Sequence, residues 1–368
     1  MAKMMGVINL DSEYSNLNEL TYFRSGAAVP FAGRYRLIDF TLSNMSNANI
    51  HDIAIFAREK YRSLMDHLGT GSDWDLDRKR GGLFILPPDW NDPSDISRGD
   101  LQHFHNNRDF FARSSAEYVF LSGSQCIMNL PISEALDKHM SSDADVTLIS
   151  ASLSDEDRED NSYLKLQTDE NGTVTAFSHD RSLPSIFTGM YIIKKSLLME
   201  LVDECINNEK ENFFLNGIKD NLHKLSVQTY HHEGYTAFIQ SLKSYYKQNM
   251  RLLNTEHYQT LFFENQRIYT KVKDEPPTKY GDSAEVNHSL VANGCTIEGE
   301  VSNSILFRGV TVEKGAVVKD SIILQRCHIK ADSTIDYSII DKDSTIASGT
   351  TLKGIEDRPY VIAKRSVI

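Results

Sequence analysis

Apolar residues in the last quarter of the chain recur every six positions. Leu306, Val312, Val318 and Leu324 fall six apart, and Val291 and Ile297 precede them with the same step. After short resets come Ile329 and Ile335, then Ile340, Ile346 and Leu352. Small residues sit beside many of them, as at Gly309, Gly315-Ala316, Ala331 and Gly349. An amphipathic helix repeats at about 3.6 residues and an open strand at about 2, so neither gives this beat. A hexad predicts a parallel β-helix, with one inward side chain per flat face and three faces to a coil. The β-helix is expected over 285–368. A linker is expected over 256–284, where Pro276-Pro277 interrupts a polar stretch.

The first 255 residues carry a different pattern. Short apolar runs at Met4–Leu10, Asn49–Ala57, Glu117–Ser122, Val146–Ser152 and Ile186–Ile193 read as strands. Helical periodicity lies between or after them, at Ile132–Met140, Ser196–Asn207 and Leu242–Asn254. Alternation of this kind predicts an α/β domain with a mostly parallel sheet over 1–255. Ligands of such sheets sit beyond the carboxyl ends of the strands. The loops after Leu10 and after Ser122 are therefore the informative ones.

Bulk properties narrow the picture only at a few points. The 368 residues suit two domains, and 40% hydrophobic content suits a sizeable core. No run is long and apolar enough to span a membrane, and acids follow the N-terminus too soon for a signal peptide. Cys126, Cys205, Cys295 and Cys327 are far apart, which predicts reduced thiols in a cytoplasmic protein. A net charge of −12 argues against nucleic acid as a main partner.

Neither informative loop suits phosphate or metal. A phosphate cradle needs glycines so that backbone N–H groups approach the oxygens. The loop Leu10–Leu17 has none, and Asp11 and Glu13 would repel a triphosphate. After the strand ending at Ser122, Ser124 and Gln125 are neutral, whereas a hard divalent cation wants carboxylates. His231 and His232 point to opposite faces of a strand. His103 and His105 would share a face if extended. His328 is the one candidate for acyl-transfer chemistry in the β-helix, and it lacks visible company. The residues alone stop at an α/β domain plus a β-helix, with the pocket chemistry open.

The stretch Ala28–Asn44, AVPFAGRYRLIDFTLSN, resembles the sugar-nucleotide pyrophosphorylases, specifically bacterial ADP-glucose pyrophosphorylase. Tyr61–Leu68, Trp74–Pro88, Thr188–Tyr191 and Ser244–Leu253 match in the same order, so the resemblance spans essentially the whole chain. It implies a Rossmann-like nucleotidyltransferase domain followed by a left-handed β-helix. It also implies the joining of ATP and glucose 1-phosphate to give ADP-glucose and pyrophosphate.

The departures from that family fall on the chemistry. Against its glycine-rich GGxGxRL loop, Asp11, Ser12 and Tyr14 stand at glycine positions and Asn16 at the arginine. Gly26 replaces the lysine of its RAKP segment, and Ala27 the proline. Ser124 stands where the first Mg²⁺-binding aspartate would be, and Phe238 where the second would be. The FxEKP motif has become Phe177–Arg181, GTAD has become Gly99–Gln102, and DFGxD around Phe213–Gly217 lacks its acids. Gly123, Thr188, Gly189 and Tyr191 remain as a remnant sugar pocket.

The resemblance is closest to the non-catalytic, GlgD-type companion subunit. It implies a regulatory, catalytically impaired subunit of a hetero-oligomeric enzyme of glycogen synthesis. Its partner would be the catalytic subunit, which would hold the Mg²⁺; no cofactor is expected in this chain. Arg24, Arg34, Arg36, Lys364 and Arg365 are candidates for an anionic effector or an interface. Two other readings stay open: an active adenylyltransferase with a rebuilt site, and a free-standing sugar-phosphate or nucleotide sensor.

Overall fold

A computed structural model of the chain describes residues 3–11, 13, 16–87, 99–152, 163–180 and 182–368. Among these, nine strands form the sheet of the N-terminal domain. Met4–Asn9 lies at its centre, with Asp52–Phe56 and Tyr118–Ser122 parallel on either side. Gly82–Leu86 extends the parallel half beyond Asp52–Phe56. The other half turns on the long strand Ser185–Lys194, which runs antiparallel to Tyr118–Ser122 and to Val146–Ser152. Val227–His232 is parallel to Val146–Ser152, and Lys165–Thr168 pairs with Val174–Ser178 at the far edge. The sheet is thus parallel where the first loops emerge and antiparallel around Ser185–Lys194. That strand is irregular between Phe187 and Tyr191, where Gly189 takes a positive φ of 80°.

The strands are where the apolar runs predicted them, because each must be covered on both faces. Val7, Ile8, Ile53, Ile55, Val119, Phe120, Val146 and Leu148 are all buried. Helices Leu37–Asn47, Ile132–Ser141 and Lys195–Asn207 supply the cover. The expected helix Leu242–Asn254 is found as Leu242–Arg251, capped by the Ser241 hydroxyl, and a second helix, Thr255–Phe262, capped by Asn254, follows it.

The C-terminal part is a left-handed β-helix with three faces of five parallel strands each among the described residues. Its interior is three ladders. Ile297, Val312, Ile329 and Ile346 stack in one; Val301, Val318, Ile335 and Leu352 in the second; Leu306, Ile323, Ile340 and Ile362 in the third. The hexad count slips once: the residue stacked on Leu306 is Ile323, not Leu324. Leu324 faces outward and, with Ile305, Phe307, Ile322 and Ile339, packs on the N-terminal domain.

The stretch 256–284 is not a free tether. It contributes Thr255–Phe262, with Leu261 buried, and the first β-helix strand Lys279–Tyr280, paired with Thr296–Ile297. The two domains share one apolar core, in which Phe31, Phe40, Tyr245 and Phe262 meet the outward row of the coils. Gly33 shows how close they come, since a Cβ there would lie 2.4 Å from Leu290 Cδ2. Across the joint the Tyr246 hydroxyl donates to the Asp320 carbonyl at 2.6 Å, and both groups are shut away from water. Tyr246→Phe is expected to lose about 1–2 kcal/mol, because the carbonyl is left unpaired; urea unfolding followed by fluorescence measures it. Among the described residues no helix is long and apolar enough to cross a membrane.

Candidate functional site

The strand Met4–Asn9 ends beside Tyr118–Ser122, so the two informative loops leave the sheet side by side. The structure uses that proximity to join them. The Glu13 carboxylate accepts hydrogen bonds from the Ser124 backbone N–H and, at 2.8 Å, from the Ser124 hydroxyl. It lies over Gly123, where a Cβ would come within 2.6 Å of Glu13 Oε1. Only glycine leaves room for this contact. Desolvation pushes the Glu13 carboxyl up to about 7, against the pull of hydrogen bonds from Ser124 and Gln125. A carboxylate of the chain itself therefore occupies the backbone turn that follows Ser122.

The other substituted positions are also built into packing. Ser124 is fully buried with its hydroxyl engaged. Phe238 lies on Thr236–Phe238, paired directly with Cys126, and its ring meets Tyr163 at 5.0 Å. These two positions do not suit a hard divalent cation: one oxygen is committed, and the phenyl ring offers none. Asn16 is tied to the chain around Ser241, its N–H donating to the Gln240 carbonyl at 2.7 Å. Gly26 opens a short 3-10 turn, Gly26–Ala28. Asp11 lies 3.5 Å from Arg58. Ser12, Tyr14 and Arg181 lie outside the described residues.

Gly123, Thr188, Gly189 and Tyr191 do come together, lining a cavity of about 360 Å³. Thr188 is fixed by its hydroxyl, which donates to the Ile149 carbonyl at 2.8 Å. Phe238 closes one side. Asp100 reaches in as well, although the sequence offered it only as part of a degenerate motif. It is buried, accepts from Asn9 Nδ2 and the Phe213 N–H at 2.8 Å each, and burial pushes its carboxyl up to about 6.

Among the described residues the histidines join no group of three or more metal-type side chains. His103 and His105 sit on the helix Gly99–Asn106 rather than on a strand, and His103 stacks on Phe56 at 5.3 Å. His231 faces Ser150 and Ser152. His328 does have company in Glu313, 2.5 Å away on the outside of the coils.

A second cavity, of about 620 Å³, opens where the two domains meet. Among its described lining residues, Arg34, Arg36 and Arg62 come from the N-terminal domain, and Lys271 and Lys273 from the connecting segment. Arg308, Arg326, Lys342, Lys364 and Arg365 come from the β-helix. Asp66 and Glu275 are the acids set against these ten cations. Burial, aided by Arg24, Arg36 and Lys364, presses the Lys342 ammonium down to about 8. Burial likewise lowers Arg308, with Arg34 next in effect, and brings Arg36 down to about 10. So four of the sequence candidates, Arg34, Arg36, Lys364 and Arg365, share one basin.

Arg24 does not join them. It is buried at 2% exposure, and its Nη2 donates to both Asp341 oxygens at 2.9 and 2.8 Å. Its place is an ion pair between the domains. Lys342, Arg308 and Arg326 gave no sequence signal, because the fold gathers them from separate turns of the coils.

The family described as Nucleotidyl transferase matches residues 15–255, and the one described as GlmU-like, C-terminal hexapeptide matches residues 276–358. The chain is 38% identical over 364 residues to the glycogen biosynthesis protein GlgD of Bacillus subtilis (strain 168), covering 98% of this chain and 96% of that protein. The GlgD protein of Geobacillus stearothermophilus is 40% identical over 366 residues, covering 99% and 97%. A glucose-1-phosphate adenylyltransferase of Bacillus mycoides (strain KBAB4) is 32% identical over 362 residues, covering 95% of each. The chain belongs to the nucleotidyl transferase family, among the full-length relatives of GlgD proteins and glucose-1-phosphate adenylyltransferases.

Proposed function

We propose that this chain is a regulatory, catalytically impaired subunit of a hetero-oligomeric ADP-glucose pyrophosphorylase, acting in glycogen synthesis beside a catalytic homologue. One observation carries the reading: Glu13 fills the turn at Ser124, and Phe238 packs as a core ring. Phosphoryl transfer depends on positioning and on neutralising charge, and a carboxylate at that turn opposes both. The fold is meanwhile intact, as expected of a chain kept for its surfaces rather than its chemistry. The Mg²⁺ of the reaction belongs in this reading to the catalytic partner. The basin at the domain joint takes a small polyanion, whose preference for one state of the assembly shifts the partner's activity.

The test is co-expression with a catalytic homologue from the same cell. The two chains are expected to co-purify, and this chain is expected to change the partner's kcat or its response to sugar phosphates. No association at micromolar concentrations overturns the subunit reading and leaves the free-standing sensor.

The basin makes a pH prediction. Burial presses Lys342 down to about 8 when the basin is empty, and the charge of a bound anion raises it again. Binding therefore takes up a proton once the pH passes 8, and affinity falls as pH rises further. Calorimetry with pyrophosphate is expected to show Kd rising several-fold, up to about tenfold, between pH 7.5 and 9. In Lys342→Met that pH dependence should shrink, and Lys364, whose ammonium burial and Arg365 also lower, should carry what is left.

A further inference from the structure

The two edges of the N-terminal sheet are built differently. At the far edge, Val174–Ser178 is bulged between Val174 and Ala176, which discourages further pairing. At the other, Gly82–Leu86 keeps an unbroken register with Asp52–Phe56 over its 5 residues. It carries no charge, no proline and no bulge, only the apolar run Leu83-Phe84-Ile85-Leu86. Its bonds to the neighbouring strand show which way its backbone points. The Gly82 N–H donates to the His51 carbonyl at 2.5 Å, and the Leu86 carbonyl accepts from the Ala57 N–H at 3.3 Å. In a parallel pair a residue turns its N–H and C=O to the same side, and that side alternates along the strand. Gly82, Phe84 and Leu86 therefore turn theirs toward Asp52–Phe56. Leu83 and Ile85 turn theirs outward, and among the described residues no backbone group meets them. The Phe84 side chain is 42% exposed, with the Phe110 ring edge-on at 5.3 Å.

We infer that this edge is a self-association surface: the same strand of a second copy pairs with it antiparallel, about a two-fold axis at Phe84. The edge is complementary to itself in that arrangement. Leu83 of one copy lies opposite Ile85 of the other, and each such pair exchanges two N–H to C=O bonds. Every outward donor finds an acceptor. The Phe84 rings meet across the axis as a non-hydrogen-bonded pair, the closer kind of cross-strand contact. Antiparallel pairing also keeps Lys79 and Arg80 of the two copies at opposite ends of the joint, whereas parallel pairing would set them against their own copies. A two-fold contact uses one patch twice and then closes, so the sheet runs through the dimer without growing into a fibre.

Sedimentation of the full chain by itself is expected to show a dimer at micromolar concentration. Phe84→Lys sets two like charges on the axis, and Ile85→Pro removes an N–H that the single copy does not use. Each should raise the dimer Kd at least about tenfold, with circular dichroism matching the unaltered chain. A cross-link reads the register without weakening the strand. Under mild oxidation Phe84→Cys should give a disulfide-linked dimer, and Lys79→Cys at least about tenfold less of it, since only cysteines brought within bridging distance can join. The native cysteines Cys126, Cys205, Cys295 and Cys327 are buried and stay out of the reaction. A monomer at those concentrations, a dimer that both substitutions leave intact, or equal cross-linking of Phe84→Cys and Lys79→Cys each overturns the proposal. So does a chain that is monomeric by itself and cross-links through Phe84→Cys to a catalytic homologue, which assigns the edge to that partner. Sedimentation contains no homologue, so a monomer there leaves the subunit reading as it was.

Discussion

Arg24→Met alone should cost about 3–5 kcal/mol of stability, the usual loss when one member of a buried ion pair is removed. Arg24 and Asp341 have side chains 2% and 1% exposed. They join the segment after the first loop to the fourth coil of the β-helix, 317 residues apart in sequence. Burial already pushes the Asp341 carboxyl up, and Arg24 is the main force holding it back. Without the guanidinium the carboxyl rises further. A folded-state value above the unfolded one contributes stability at low pH that is lost as pH climbs through the folded value. The variant should therefore be least deficient in acid and most deficient near neutrality. Urea unfolding at pH 5 and pH 8 should show that difference. Adding Asp341→Leu should recover most of the loss, because two apolar side chains of similar bulk need no compensation. A loss under 1 kcal/mol at pH 8 would mean that water reaches the pair.

The parts of this molecule that the sequence announced are those with a period. The three interior ladders appear as hexads because each coil repeats one environment. The slip at Leu324 shows the limit. Both Ile323 and Leu324 are apolar, and only the packing of the N-terminal domain on the outer row decides which one points inward. The strands Lys165–Thr168 and Val174–Ser178 went unread because they are short and half exposed, with little alternation to see.

The site divides in the same way. The loss of glycines and of metal-type carboxylates was legible, since it is a matter of residue identity. What replaced them was not. That Glu13 would reach Ser124 depends on two loops leaving the sheet together, and that Arg24 would pair with Asp341 depends on a domain joint. The cationic basin was visible only at Arg34, Arg36, Lys364 and Arg365; its remaining members are Arg62 of the N-terminal domain, Lys271 and Lys273 of the connecting segment, and the single basic residues Arg308, Arg326 and Lys342 on successive coils. Nothing local marks them.

Ser124→Asp, the simplest attempt to rebuild the metal site, should fail and should also destabilise the chain. On the reading proposed above, the unaltered chain is expected to form ADP-glucose at least about 10³-fold more slowly than a catalytic homologue, because the described lining of its cavity offers no lysine or arginine and Phe238 offers no oxygen. A new carboxylate at position 124 would not meet a cation there. It would meet Glu13, whose Oε2 lies 2.8 Å from the present hydroxyl. Two carboxylates this close cannot both ionise, so one proton must stay, and the Ser124 hydroxyl that now satisfies Glu13 is gone. The expected cost is about 2–4 kcal/mol, smaller at pH 5 than at pH 8, with activity no higher than before. Adding Glu13→Gln should return most of the stability, since an amide can donate to the new carboxylate. Turnover should remain at background even then, because Phe238 still offers no oxygen for the metal. A coupled pyrophosphate-release assay with ATP, glucose 1-phosphate and Mg²⁺ reads the activity of all three proteins. Turnover by Ser124→Asp within tenfold of a catalytic homologue would show that one missing ligand, rather than the plug and the aromatic packing together, had silenced the site.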